Sequence, residues 1–233
     1  IVAGRQGALT ILTVIFNVAV FAIGFWKAGD TSNVLEMCSR LVILFAVITL
    51  VGLNGIHKKT WAAVFTTLIV LVIIMGIFDV VIHHAEDLDY STMEYLGSIE
   101  NPDEIFHTEI LISGLGAIMD VAVAIAASLS EIVEKKPKVT FLELFKSGRE
   151  IGYDIMGTMI NVLLFVFGCG LIPMCLIRMN NSVRFVTIIK LHIPCELCRF
   201  FVESIGIVLA IPVSIIVTSV MMKMSVKKVK KIC

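Results

Sequence analysis

Asp120 stands near the middle of GLGAIMDVAVAIAASLSE, residues 114–131, an apolar run long enough to cross a bilayer. An Asp at the centre of a membrane helix costs about 2.5–3.5 kcal/mol on insertion scales, so a carboxylate kept there points to ion or proton chemistry. On a helix, Gly116, Asp120, Ala124, Ala127 and Glu131 follow steps of four, four, three and four and share one stripe. Apart from its acids the stripe is small, which lets another helix approach closely. Asp120 is therefore expected to face a neighbouring helix or a polar cavity, with Gly114 and Gly116 as packing positions. A second polar stripe runs through Asp154, Thr158, Asn161, Phe165 and Gly168, at steps of four, three, four and three, with Gly157 beside it. The two stripes suggest a protonatable Asp120 whose charge state is read by Thr158 and Asn161 on the facing span. Asp154 and Glu131, near the opposite ends of their runs, would form the mouth of a path. The competing reading makes Asp120, Thr158 and Asn161 an interhelical hydrogen-bonded clamp, with Asp154 and Glu131 as boundary residues.

Other chemistries fit the residues less well. Cys195 and Cys198 form a CxxC with His192 upstream, but no second ligand pair accompanies them, so no metal site is expected. Asp79 lies near His83 and His84, whose adjacent positions on a helix point about 100° apart and suit a solvated edge better than a metal. Glu203 and Ser204 open the last apolar run without a distinguishing pattern. An aspartyl dyad of Asp120 and Asp154 would need both at one depth, whereas they fall about 10 Å apart in depth at 1.5 Å rise per residue. The chain has no GxGD motif, no phosphate-binding loop and no Ser/His pair within one site, so neither an enzyme nor a cofactor is expected.

The elements that must carry these groups follow from composition. Of 233 residues, 58% are hydrophobic and only 16% charged, and the mean hydropathy is +0.98, which sets the chain outside soluble domains. Formal charge balances to zero, which removes any electrostatic argument for nucleic acid. Six apolar spans are expected, over about 8–26, 41–56, 61–82, 106–130, 151–172 and 200–222. The fold class is thus an all-α polytopic helix bundle in a single domain, 1–233. Pro212 lies inside the sixth span, where the missing amide shapes the helix. The partner is the lipid bilayer, and the small-residue faces leave homo-oligomerisation or a membrane-complex partner open.

Charge placement gives an orientation. His57, Lys58 and Lys59 sit in a tight turn, and Lys223, Lys227, Lys228, Lys230 and Lys231 form a basic tail at 223–233. Both clusters favour the cytoplasmic side, which puts both termini inside. The acidic stretch 83–105 contains no Lys or Arg and belongs outside. Residues 135–149 alternate Val139, Leu142, Leu144 and Phe145 with Glu143, Lys146 and Arg149, as expected of a short amphipathic helix on the inner surface. Arg178 to Cys198 fits the pattern least, and Val183 to Leu191 is read as interfacial. The chain starts at Ile1, and it is read as the membrane core of a longer protein.

Three blocks, GLGAIMDVAVAIAASLSE, FLELFKSGREIGYDIMGTMIN and ESIGIVLAIPVSII, resemble signature stretches of the YibE/F family of bacterial multi-span membrane proteins. GRQGALT and NGIHKKTWAAVFTT extend the resemblance over nearly the whole chain. It implies a multi-pass protein of the bacterial cytoplasmic membrane that follows a longer plan, an N-terminal span and an extracytoplasmic domain before this core. It implies no biochemical activity. Tyr153 stands where the family commonly has Arg, and Met159, Ile160, Asn161 and Val162 replace a common TNT. The block around the fourth and fifth spans is also similar, in order and spacing, to proton-driven RND and SecD/SecF proteins. The function expected is a transporter-like or permease-like component with a protonatable intramembrane Asp, the alternative being an accessory subunit of a membrane complex or export machine.

Overall fold

The computed structural model describes residues 4–28, 34–84 and 102–229, and among them all regular structure is helical. The helices are α1 (Gly4–Ala28), α2 (Val34–Asn54), α3 (Lys58–His84), α4 (Pro102–Lys135), α5 (Phe141–Asn180) and α6 (Phe185–Val229). Each contains a stretch long and apolar enough to cross a membrane. The acidic stretch expected outside lies mostly beyond the described residues, as does the end of the basic tail.

Three boundaries differ from the sequence reading. α2 begins at Val34, inside the segment read as a polar loop, because Glu36 pairs with Arg40 one turn on at 2.5 Å and satisfies both charges along the helix. The amphipathic stretch before the fifth span is the opening of α5 itself, a single helix of 40 residues. Its start is set by a capping box, in which Thr140 accepts from the Glu143 amide and Glu143 accepts from the Thr140 amide at 2.8 Å. Val183 to Leu191, read as interfacial, is mostly continuous with the sixth span, because α6 runs from Phe185 through both Pro194 and Pro212.

Contacts fix the helix directions. Asn17 donates to Thr49 at 2.7 Å and Phe21 stacks on Phe45, so α1 and α2 run antiparallel. Phe78 meets Phe106 edge-on while Gly114 meets Leu71, which makes α3 and α4 antiparallel. In the α4–α6 pair, Glu109 meets Arg199, Ser113 meets Glu203, and Ser214 approaches Ala122; the order rises together, so these two are parallel. Successive helices alternate, and the chain enters and leaves at the same end of the bundle. One end gathers the starts of α3 and α5 with the finishes of α2, α4 and α6. The other gathers the starts of α4 and α6 with the finishes of α3 and α5.

The core lies where α3, α4 and α6 meet, built from Phe78, Phe106, Ile110, Ile118, Ile125, Leu129, Ile207 and Ile215, all fully buried. A second cluster, Leu50, Ala63, Val64, Ala122 and Ala126, seats α2 on α3 and α4. Glycines set the closest approaches. Gly148 and Gly152, one turn apart on α5, receive Ile215 and Ile211 of α6, and Gly206 of α6 receives Ile74 and Ile118. This small-xxx-small stretch lets the Ile211 and Ile215 side chains of α6 pack directly on the backbone of α5.

The α2–α3 connection turns on Gly55, whose φ of +72° is the left-handed region. Its amide donates to the Val51 carbonyl at 2.9 Å and closes the end of α2. Gly55→Ala should lower unfolding stability by about 1–2 kcal/mol, the cost of placing an L side chain there. Denaturant unfolding of the purified variant in detergent measures it, and an unchanged midpoint would mean that the turn relaxes freely.

Candidate functional site

A cluster of charged side chains lies between α4 and α6, at the end where both helices begin. Glu109 and Ser113 lie one turn apart on α4, and Glu196, Arg199 and Glu203 lie within two turns on α6. Arg199 donates through Nη1 to Glu109 and through Nη2 to Glu196 at 2.6 Å. The Ser113 hydroxyl donates to Glu203, whose side chain is buried. One guanidinium thus serves two carboxyl groups, and Glu203, bonded to Ser113, lies one turn deeper than the ion pairs. A planar guanidinium suits this place because its fork serves two carboxylates at once.

A third pair stands at the same end. His107 Nε2 lies 2.7 Å from Asp79 of α3, and its Nδ1 lies 2.7 Å from the Asp103 carbonyl of its own helix. Both ring nitrogens thus face oxygen atoms of other groups, which fixes the plane of the ring. The ring packs edge-on against Phe78. His83, the neighbour considered in the sequence reading, is exposed one turn beyond Asp79.

Below Glu203 a buried stripe continues down α6. Glu203, Ile207, Ala210, Ser214 and Thr218 follow steps of four, three, four and four, and all are nearly or fully buried. Two apolar residues separate the carboxyl from the hydroxyls. Ser214 Oγ reaches the Ala122 carbonyl at 3.4 Å, whereas the buried hydroxyls of Thr218, Ser219 and Thr66 make no hydrogen bond among the described residues. Pro212 falls inside this stretch and leaves the Val208 carbonyl without its helical donor.

The residues singled out in the sequence fall elsewhere. Asp120 is exposed on α4, on the stripe it shares with Ser113, Gly116 and Glu131. Thr158 and Asn161 are exposed on α5, where they donate to their own helix at Ile155 and Gly157, at 2.8 and 2.7 Å. No described contact joins Asp120 to either. The reason lies in α5, which presents Gly148 and Gly152 to α6 and thereby turns Asp154, Gly157, Thr158 and Asn161 outward. Glu131 is exposed and paired with Lys135 at 2.6 Å. Gly114 is buried in ordinary contact with Leu71 and Ile118, while Gly116 and Gly157 face open space. Cys195 and Cys198 are not joined by a disulfide.

A family model described as YibE/F-like protein matches residues 1–224. The chain belongs to the YibE/F family. Neither a curated protein nor a solved structure matches it. The match covers α1 through nearly all of α6, so Glu109, Arg199 and Glu203 lie within the matched residues. Sequence reasoning noticed Glu203 but passed over Glu109, Glu196 and Arg199, which sit at the ends of apolar runs and look like boundary charges. Their signal was spacing. Glu109 and Ser113 are four residues apart on one helix, as are Arg199 and Glu203 on another, so parallel packing brings two complementary pairs into register.

Proposed function

We propose that this YibE/F protein is a proton-coupled, transporter-like component of the bacterial cytoplasmic membrane, with Glu203 as its principal protonatable group. The observation that carries the reading is the gathering of Glu109, Glu196, Arg199 and Glu203 where α4 and α6 meet, with Arg199 bonding the first two carboxyls and Ser113 the third. Ionisable side chains within membrane spans mark ion paths far more often than they serve packing. Arg199 bonds Glu109 and Glu196 and leaves the buried Glu203 with a neutral hydroxyl as its hydrogen-bond partner, which makes Glu203 the candidate carrier. Thr218, Ser219 and Thr66 supply hydroxyls further along for a hydrated continuation, and Ile207 with Ala210 forms the barrier between. Movement of α6 about Pro212 would open or close that barrier. The basic turn at His57–Lys59 and the basic tail support cytoplasmic termini, and on that orientation the carboxyl network would face the outer side. No catalytic step belongs to this reading.

Proton flux into liposomes holding the full-length protein, under an imposed pH gradient, tests it. Glu203→Gln should reduce flux at least about 10-fold while the protein inserts normally, the scale on which a positioned proton-transfer group acts. Wild-type flux in Glu203→Gln would remove that role. Flux lost in Asp120→Asn but kept in Glu203→Gln would move the protonatable site to the α4 stripe.

A second reading, an accessory subunit of a membrane complex, draws support from α5. Asp154, Thr158 and Asn161 share its exposed face with Phe165 and Val162. Polar side chains on a lipid-facing surface are costly, and a partner helix would cover them.

A further inference from the structure

Asp120 is exposed near the middle of α4, and it closes no hydrogen bond or ion pair among the described residues. A single chain in lipid would hold this carboxyl group against acyl chains, the costliest place for one. Thr158 and Asn161 stand exposed on the neighbouring α5, in the same situation. We propose that two copies of this chain pair through these faces, with Asp120 of each copy meeting Thr158 and Asn161 of the other.

The two faces stand at one depth. α4 runs parallel to α6, and α5 antiparallel to it, since Gly148 meets Ile215 and Gly152 meets Ile211; α4 and α5 are therefore antiparallel. A Cβ on Gly148 would lie 3.3 Å from Leu129 of α4, which sets these two residues about level. Asp120 precedes Leu129 by nine residues and Gly157 follows Gly148 by nine, so Asp120 is level with Gly157 and Thr158 and one turn from Asn161. A two-fold axis along the membrane normal keeps every residue at its own depth. It can bring Asp120 of one copy to Thr158 and Asn161 of the other, and symmetry then supplies the reverse contact. Donors and acceptors also match. Asn161 spends one amide hydrogen on the Gly157 carbonyl at 2.7 Å, and Thr158 spends its hydroxyl hydrogen on the Ile155 carbonyl at 2.8 Å. The second N–H of Asn161 remains for a carboxylate, and the lone pairs of Thr158 remain for a protonated one. Gly116, four residues before Asp120, and Gly157 both have open space within 4 Å of a Cβ, so the two faces are low where helices would touch. Because one chain carries the carboxyl group and its complement at matching depth, a second copy satisfies both faces at once. The pairing does not depend on the role given to Glu203.

The test follows the mass of the full-length protein in mild detergent by light scattering across a dilution series, with helix content checked by circular dichroism. Wild type should be a dimer. Asp120→Leu and, separately, Thr158→Leu/Asn161→Leu should each move the dissociation midpoint at least about 10-fold toward monomer, since each removes both copies of an interhelical contact. Val18→Leu, on the exposed face of α1, should leave it unchanged. An equimolar mixture of the Asp120→Leu and Thr158→Leu/Asn161→Leu proteins, carrying different tags, reads the pairing itself. The mixed dimer keeps one of the two contacts, so it should form at concentrations where neither variant dimerises alone. A wild type that stays monomeric throughout, variants that dimerise as it does, or a mixture no better than its components overturns the proposal. The readout is mass and not proton flux, so its failure is distinct from a failure of the reading at Glu203.

Discussion

Arg199→Met should be the most damaging single substitution in the bundle. It strips the guanidinium from Glu109 and Glu196 and leaves Glu203 beside two carboxylates that have lost their ion-pair partner. Removing one partner of a buried pair costs about 3–5 kcal/mol because the other charge stays uncompensated. Here the Glu109 side chain is 41% exposed and Arg199 22%, so partial solvation lowers the expected loss to about 2–3 kcal/mol. Arg199→Lys should recover only part of it, since an ammonium cannot present the planar fork that serves Glu109 and Glu196 together. A double-mutant cycle with Glu109→Gln isolates the pair, and a coupling of about 1–3 kcal/mol is expected for residues in one network. The measurement is unfolding in a denaturing detergent, followed by helix content. If Arg199→Met unfolds with the wild type, the network contributes nothing to the fold, and the three carboxyls are free to be read by their chemistry alone.

Gly152→Leu should rank with it through a different mechanism. A Cβ at this position would stand 2.4 Å from Cγ2 of Ile211, with two more atoms of that side chain within 3.2 Å. Cγ2 is fixed to the branched Cβ, so the clash is not relieved by swinging a chain end, and α5 must move away from α6. Overpacking of this kind costs about 1–3 kcal/mol, and a leucine in a backbone-to-side-chain contact belongs at the upper end. Alanine, whose better helix propensity returns about 1 kcal/mol, should lose less. Gly157→Leu on the same helix is the matched control, because nothing lies within 4 Å of a Cβ there. It should change stability by no more than about 0.5 kcal/mol. The comparison also reports on partners: a loss of oligomer in Gly157→Leu with the monomer intact would place a partner on the outward face of α5. Equal losses at both glycines would mean that α5 is not seated as described.

The contrast between these glycines shows why close approach was hard to read from the chain. Gly114, Gly116, Gly152, Gly157 and Gly206 occur in apolar helical runs and Gly148 in the amphipathic stretch before one, and spacing alone ranks none of them. What separates them is which face of α5 turns toward α6, a choice made by Ile211 and Ile215 from 59 and 67 residues away, counting from Gly152 and Gly148 respectively. Once that face is chosen, Asp154, Thr158 and Asn161 must point outward, and the stripe expected to meet Asp120 cannot reach it.

What the sequence by itself determined is the class of protein and the course of its chain. Apolar runs of sufficient length leave backbone groups no alternative to helices in lipid, so six spans and an all-α fold follow from composition and periodicity. The signature blocks named the family, and charge placement marked the two ends of the bundle. Tertiary structure decided which polar groups meet. Glu109, Ser113, Arg199 and Glu203 are 90 residues apart in sequence from α4 to α6, and only the parallel packing of those helices joins them. Local patterns record the face a residue occupies on its own helix. They do not record which helix arrives opposite, because that is settled by packing summed over the whole bundle.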